Sequence, residues 1–297
     1  MTKFFFNSFF ALVLLSCIAA GPVKAQVNFH KMGNWQDSLL NLGTVMFNSK
    51  SEAERLEKNF VFVKTLVSSL KEPHAYLFNF DKLKMISVLR AADDKFRIFS
   101  WNIPLHDGSY LYYGAIQLKT KDGKLKLVPL LDKTFEIANP EEALLKPDNW
   151  YGAQYYDIQP LGNVYILLGW KGHGPSYSQK VIEILDFEND SFLLGKKVFS
   201  DQPQLQRKLF SYTRQASMYL KYHKAENSLI FDHIVPADSS LIGNFKYYGP
   251  DLTHDAYQLK QGQLLFKSNV PFTNLPNEAD KLNIIPGKAI PKKKSGL

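Results

Sequence analysis

Side chains capable of chemistry gather in three stretches of this chain. His106 and Asp107 stand in 104–109, and His173, Ser176 and Tyr177 in 171–178. Asp238, Tyr247, Tyr248, Asp251, His254 and Asp255 stand in 235–255. Trp101, Trp170 and His233 lie at the approaches to these stretches. Imidazoles beside carboxylates are ligands for divalent transition metals. No H-E-x-x-H or D-x-D-x-D-G spacing occurs, however. The densest group, Asp251-x-x-His254-Asp255, is also what a turn uses to bond its own backbone. The expectation is no metal and no cofactor. Gly172-His173-Gly174-Pro175-Ser176 places a histidine and a serine in one glycine-rich loop. A serine nucleophile needs its base within hydrogen-bond reach and a third group to orient that base. The G-x-S-x-G elbow is missing, and the glycines are equally explained by a loop that needs positive φ. Glycoside cleavage by paired carboxylates is not singled out in a chain with 28 acids. Trp101, Trp170, Tyr177, Tyr247 and Tyr248 offer flat apolar faces to a sugar ring or a peptide side chain, or else fill core and rim. The candidate ligand-binding set is Trp101, His106, Trp170, His173, Tyr177, Tyr248, Asp251, His254 and Asp255, with no catalytic residue assigned.

The elements that must position these residues repeat. Residues 84–131 read as four strands, 84–90, 96–103, 110–119 and 124–131, with Asp122-Gly123 in the last turn. Asp-Gly between two alternating runs is a strong hairpin signal, because both central turn residues need positive φ. A second unit spans 155–199, with strands 155–159, 163–170, 179–187 and 191–199. A third spans 217–270, with strands 217–223, 228–234, 256–260 and 263–270. The three chemistry-bearing stretches are the middle connections of these units. Equivalent loops of a repeat fold share one face, and insertions there mark the binding surface. Four antiparallel strands in about 45 residues match a propeller blade, but a closed ring needs about four blades and three are found. The fold class is therefore mainly β, built of antiparallel four-stranded units, propeller-like or sandwich-like, with an N-terminal helical segment.

Before the units, a first helix is expected over 35–47, capped by Asn34 and following a lead-in over 26–33. A second starts at the capping box Ser51-x-x-Glu54 and ends at Pro73. Its expected core stripe is Ala53, Leu56, Phe60, Val63, Val67 and Leu70. Asn139-Pro140-Glu141-Glu142 reads as a capped start of a short helix to Lys146. Residues 201–207 form a polar connection, and 208–213 an additional strand. This gives a leader over 1–25, a helical segment over 26–74, a β domain over 75–270 and an extended tail over 271–297.

Residues 1–25 have the parts of a secretory signal: Lys3, an apolar run from Phe4 to Ala20, and Val23-Lys24-Ala25 before the cleavage point. Cleavage after Ala25 would leave an exported chain, periplasmic or secreted. The apolar run is short for a membrane anchor. Leu14-Leu15-Ser16-Cys17 loosely matches a lipobox, and membrane association is expected only if Cys17 is lipidated. Cys17 is the one cysteine, so cleavage removes thiol and disulfide chemistry. It also removes Lys3 and Lys24 and lowers the net charge by two, from +8 to +6. Mixed charge of that size gives weak attraction to anionic surfaces. No nucleic-acid motif appears, and a nucleic-acid partner is not expected.

Three segments carry a family resemblance: Lys24-Ala25-Gln26, residues 97–117, and residues 232–258 with Asp232-His233-Ile234-Val235-Pro236, Tyr247-Tyr248-Gly249-Pro250-Asp251 and His254-Asp255-Ala256-Tyr257. The chain resembles a group of uncharacterised exported proteins of Bacteroidota-type bacteria that has no assigned activity. The resemblance implies export and no mechanism. The expected function is a binding or structural module of the bacterial envelope, whose partner is an unidentified envelope protein or glycan. The alternative is an envelope hydrolase acting on polysaccharide or peptide through the same middle-loop face.

Overall fold

The computed structural model describes residues 27–189 and 191–272. The expected leader, Cys17 and the tail beyond Phe272 lie outside the described residues. The chain divides into two compact units. One takes the described part of Met1–Met85 together with Gln117–Leu127. The other takes Ile86–Ile116 and the described part of Val128–Leu297.

The first unit is built on two helices, α1 (Phe29–Asn48) and α2 (Glu52–Leu70). Helix α1 begins earlier than the expected 35–47. Asn28, not Asn34, is the cap, its side chain accepting the Lys31 amide at 2.9 Å. Gly43 sits inside the helix because Met85 packs where its Cβ would stand. Ser51 caps α2 as expected, accepting the Glu54 amide at 3.3 Å. The buried face of α2 differs from the expected stripe: Arg55, Asn59, Phe62, Leu66, Ser69 and Leu70 are buried, while Phe60 is 59% exposed. Apolar residues run almost all round this helix, so periodicity left its inner face undetermined and packing chose it.

The second unit holds most of the β structure. All three sheets are antiparallel meanders: β1 (Ser87–Arg90), β2 (Phe96–Pro104), β3 (Tyr110–Leu118) and β4 (Lys126–Leu131); β5 (Gln154–Leu161), β6 (Val164–Gly172), β7 (Tyr177–Glu188) and β8 (Ser191–Leu194), with β9 (Lys208–Thr213) on the other side of β7; and β10 (Leu220–His223), β11 (Ser228–Pro236), β12 (Tyr248–Lys260) and β13 (Gln263–Lys267). Strands β3 and β4 extend past the boundary between units at 117–127. No closed barrel or ring of sheets is found among the described residues. Both faces of β6 are buried along nearly its whole length, as its unbroken apolar sequence requires. One face meets a core shared with the third sheet, including Ile166, Leu168, Ile182, Phe210, Leu229, Phe231 and Tyr257.

No helix forms over 140–146. Glu142 and Ala143 close a single turn on the Asn139 carbonyl. The carbonyls that would continue a helix are taken elsewhere. Arg207 donates to Pro140 and Ala143, and the Gln206 amide donates to Glu141. Leu145 pairs with Leu194. Tertiary partners outbid the local helix signal.

Candidate functional site

A cleft of about 940 Å³ opens between the second and third sheets. Its floor is the shared core, with the buried Phe210, Phe231 and Tyr257 among the lining residues. Its walls carry Glu141, Glu142, Asp201, Asp232 and Asp255 against one lysine, Lys208.

Four rings of a run of five line this cleft, and the fifth, Phe135, adjoins His173 outside it. Phe135, in the 3₁₀ turn Thr134–Glu136, is 80% exposed. Its ring centroid lies 6.2 Å from His173. His173 stacks on Tyr177 at 4.7 Å and 11°. Tyr177 meets Phe245 at 5.4 Å, and Phe245 meets Tyr248 at 5.2 Å. Backbone geometry explains the stack: the His173 amide donates to the Tyr177 carbonyl at 3.1 Å, closing the β6–β7 turn with both rings on one side. Phe245 and Tyr248 come from the next sheet, at the end of the β11–β12 connection.

The first middle loop joins the same face. Arg214, after β9, donates to the Gly108 carbonyl at 3.1 Å, to Gly174 at 3.4 Å and to the Tyr110 hydroxyl at 2.8 Å. It clasps 104–109 to 171–178, and the Tyr177–Phe245 contact brings in 235–255. These contacts link the three stretches, although 248–255, expected as part of a loop, belongs to strand β12, whose start pairs with 234–236.

The individual candidates separate. His173, Tyr177, Tyr248 and Asp255 line the cleft. Trp101 is buried and stacks on Tyr113 at 5.7 Å. Trp170 packs edge-on to Tyr110 at 5.4 Å, away from the lining. His106 is exposed in its loop. Asp251 lies within β12, not in the expected loop, and accepts the Thr253 amide at 2.9 Å and hydroxyl at 2.7 Å where the strand is irregular. Asp107 does the same for Ser109 and Asp238 for Ser240, which is the turn-capping role carboxylates take in loops. His254 pairs with Asp232 at 3.1 Å and packs on Phe272. No group of three or more histidine, cysteine or acidic side chains placed to hold a metal is found among the described residues.

Two lining residues, Glu141 and Asp201, lie outside the repeat units, the first in the expected helix start at 139–142 and the second in a connection with no motif. His233 lies just before the third stretch, on β11. Its Nδ1 is 2.7 Å from Asp255 Oδ2. The β11–β12 register slips between Asp232 and Ile234, and such bulges re-aim side chains.

Electrostatics follow burial. Burial lowers the His173 pKa, and the Lys171 charge pushes the same way. Burial raises the Tyr177 hydroxyl. Burial would raise Asp251, but Thr253 and the His233 charge hold it below the usual carboxylate range. Beneath this face Lys171 is fully buried and set between the Tyr112 and Tyr151 rings, 4.4 Å from each centroid. It donates to Thr134 Oγ1 at 2.7 Å and to the Gly152 carbonyl at 2.5 Å, and burial lowers its pKa to about 7.

Fold and site together define a mainly β protein with an aromatic-edged, acidic cleft. Comparison with protein-family models, curated proteins and solved structures gave no match.

Proposed function

We propose that the chain is an exported binding module of the bacterial envelope whose ligand is a neutral or cationic glycan lying along the aromatic run. The observation that carries this is the contiguous path Phe135–His173–Tyr177–Phe245–Tyr248 beside a carboxylate-lined cleft. Successive rings give apolar faces for sugar rings, while carboxylates accept hydrogen bonds from hydroxyls. A protein partner fits less well, because the core of a protein interface is depleted of charge and this cleft holds five acids. An anionic polymer would meet like charge, which is costly.

The leader over 1–25 and the resemblance to exported Bacteroidota-type proteins support an envelope location, with cleavage after Ala25. The core shared by the second and third sheets supports a sandwich-like arrangement of those two sheets. Isothermal titration with xylan and cellohexaose tests the reading. The triple variant Tyr177→Ala, Phe245→Ala, Tyr248→Ala is expected to lose at least about tenfold in affinity, from stacking worth about 0.5–1.5 kcal/mol per aromatic pair beyond area. An unchanged affinity, or binding confined to anionic polymers, would overturn it.

A further inference from the structure

His233 and Asp255 are arranged as a base and its orienting group. His233 lines the cleft with its side chain 45% exposed, while the Asp255 side chain is 7% exposed. Asp255 Oδ2 lies 2.7 Å from His233 Nδ1, and Oδ1 accepts the Asn269 amide at 2.9 Å. A carboxylate fixed on both oxygens accepts the Nδ1 hydrogen and sets the tautomer, so Nε2 is the nitrogen that takes a proton. The neighbouring carboxylates are otherwise engaged. Asp232 faces His254 and the Tyr219 amide, and Asp251 faces Thr253. The site lies at a register slip, and Leu252 opposite it holds φ +73° while 90% exposed. Strained non-glycine backbone of this kind clusters at functional sites.

We infer that His233, positioned by Asp255, is the general base of a second activity in this cleft, hydrolysis of O-acyl esters on the bound glycan. The inference rests on the glycan reading for its polymer substrate. Chemistry selects the ester. Water attacks the acyl carbon as His233 Nε2 takes its proton, forming the new C–O bond. The acyl–oxygen bond then breaks, and the departing alcohol oxygen recovers that proton from the imidazolium. The products are a carboxylic acid and a free hydroxyl, and Asp255 stays ionised throughout, as such an orienting carboxylate does. Phosphate and sulfate esters would be repelled by the acidic walls. Glycoside cleavage would need a pair of carboxyl groups to act on the two sides of the bond, whereas Glu141, Asp201, Asp232 and Asp255 each accept structural hydrogen bonds and only Glu142 of the five is left for such a role. Tyr248 accepts the Gly243 amide at 2.9 Å, which leaves its hydroxyl hydrogen for the ligand.

The test is acetate release from O-acetylated xylan and hydrolysis of 4-nitrophenyl acetate by the exported chain. His233→Ala and His233→Gln are expected to lower kcat about 10²- to 10⁴-fold. Asp255→Asn, a positioning variant, is expected to lower kcat while leaving KM for the polymer unchanged, because the amide no longer holds the His233 tautomer. Tyr177→Ala is expected to raise KM for the polymer alone. Thermal unfolding of each variant separates lost chemistry from lost fold. Wild-type rates no faster than buffer with both probes, or a folded His233→Gln with the wild-type rate, would overturn the inference. Titration with deacetylated xylan distinguishes the two readings. Binding without release removes the esterase alone, and 4-nitrophenyl acetate hydrolysis without xylan binding removes the glycan reading and the polymer substrate with it, leaving His233 as the base for a small ester.

Discussion

Arg207 and Glu183 form an ion pair that solvent does not reach: Arg207 Nε lies 2.8 Å from Glu183 Oε2, with both side chains fully buried. The rest of the guanidinium is occupied by carbonyls, Nη1 by Pro140 and Ala143 and Nη2 by Leu194. One side chain thus ties the 139–145 connection, with Glu141 and Glu142 of the cleft wall, to the second sheet. Removing one partner of a buried pair strands the other charge, at about 3–5 kcal/mol. Arg207→Met is expected to lose stability in that range by urea denaturation. Adding Glu183→Leu should recover part of the loss, because the orphaned carboxylate goes too. A single variant within experimental error of wild type would show that the pair has little net effect.

Lys171 makes stability depend on pH in a known direction. Its amine falls from the ordinary 10.5 to about 7 in the folded chain because burial disfavours the charge. Between about pH 7 and 10.5 the unfolded chain therefore binds the extra proton, and stability rises with pH. Below about pH 7 both states are protonated and the penalty is complete, of the order of several kcal/mol. Urea denaturation at pH 7 and pH 9 should show a positive slope for wild type that is much reduced in Lys171→Met. The slope is the readout, since methionine also deprives Thr134 and Gly152 of a donor. An identical slope in the variant would mean that the amine is not perturbed.

Much of this architecture is legible in the sequence because strand alternation and turn chemistry act locally. The Asp122-Gly123 turn, the β6–β7 hairpin and the additional strand over 208–213 all appear at or near their expected places. What the sequence conceals is set by long-range partners. The Asn139–Glu142 helix signal is genuine but loses its carbonyls to Arg207 and Gln206. Glu183 occupies an ordinary alternating position, and only Arg207, 24 residues later, explains why it is buried. Trp101 and Tyr177 are indistinguishable as exposed-aromatic candidates by sequence, yet one is interior and the other lies on the cleft. Phe135 carries no motif and joins the aromatic run only because the 3₁₀ turn at 134–136 places it beside His173.

Gly172 is where the second middle loop leaves β6, and a Cβ there would overlap the Tyr110 ring. That ring is held by Trp170 on one side and Arg214 on another, so it cannot swing aside freely. Gly172→Ala is expected to cost about 1–3 kcal/mol, the usual range for overpacking, read as a lower midpoint in thermal or urea unfolding. Tyr110→Ala in the same background should restore part of it by vacating the space. If Gly172→Ala unfolds like wild type, the ring relaxes without cost and the loop is softer than this packing implies.

Arg214 separates binding from stability. Its head group is exposed, and its three acceptors lie in two loops and one tyrosine. Exposed hydrogen bonds of this kind contribute little to global stability, so Arg214→Ala should change the unfolding free energy by no more than about 1 kcal/mol. Its consequence lies in order. Gly174 is the residue after His173, and releasing it frees the turn that stacks His173 on Tyr177. A glycan would then have to order that turn itself, at about 0.5–1.5 kcal/mol per immobilised side chain. Xylan affinity is therefore expected to fall about three- to tenfold, with the loss in entropy rather than enthalpy by calorimetry. Arg214→Lys should behave like alanine, because an ammonium lacks the planar fork that reaches several acceptors at once. Unchanged affinity in both variants would show that the His173–Tyr177 stack forms without the clasp.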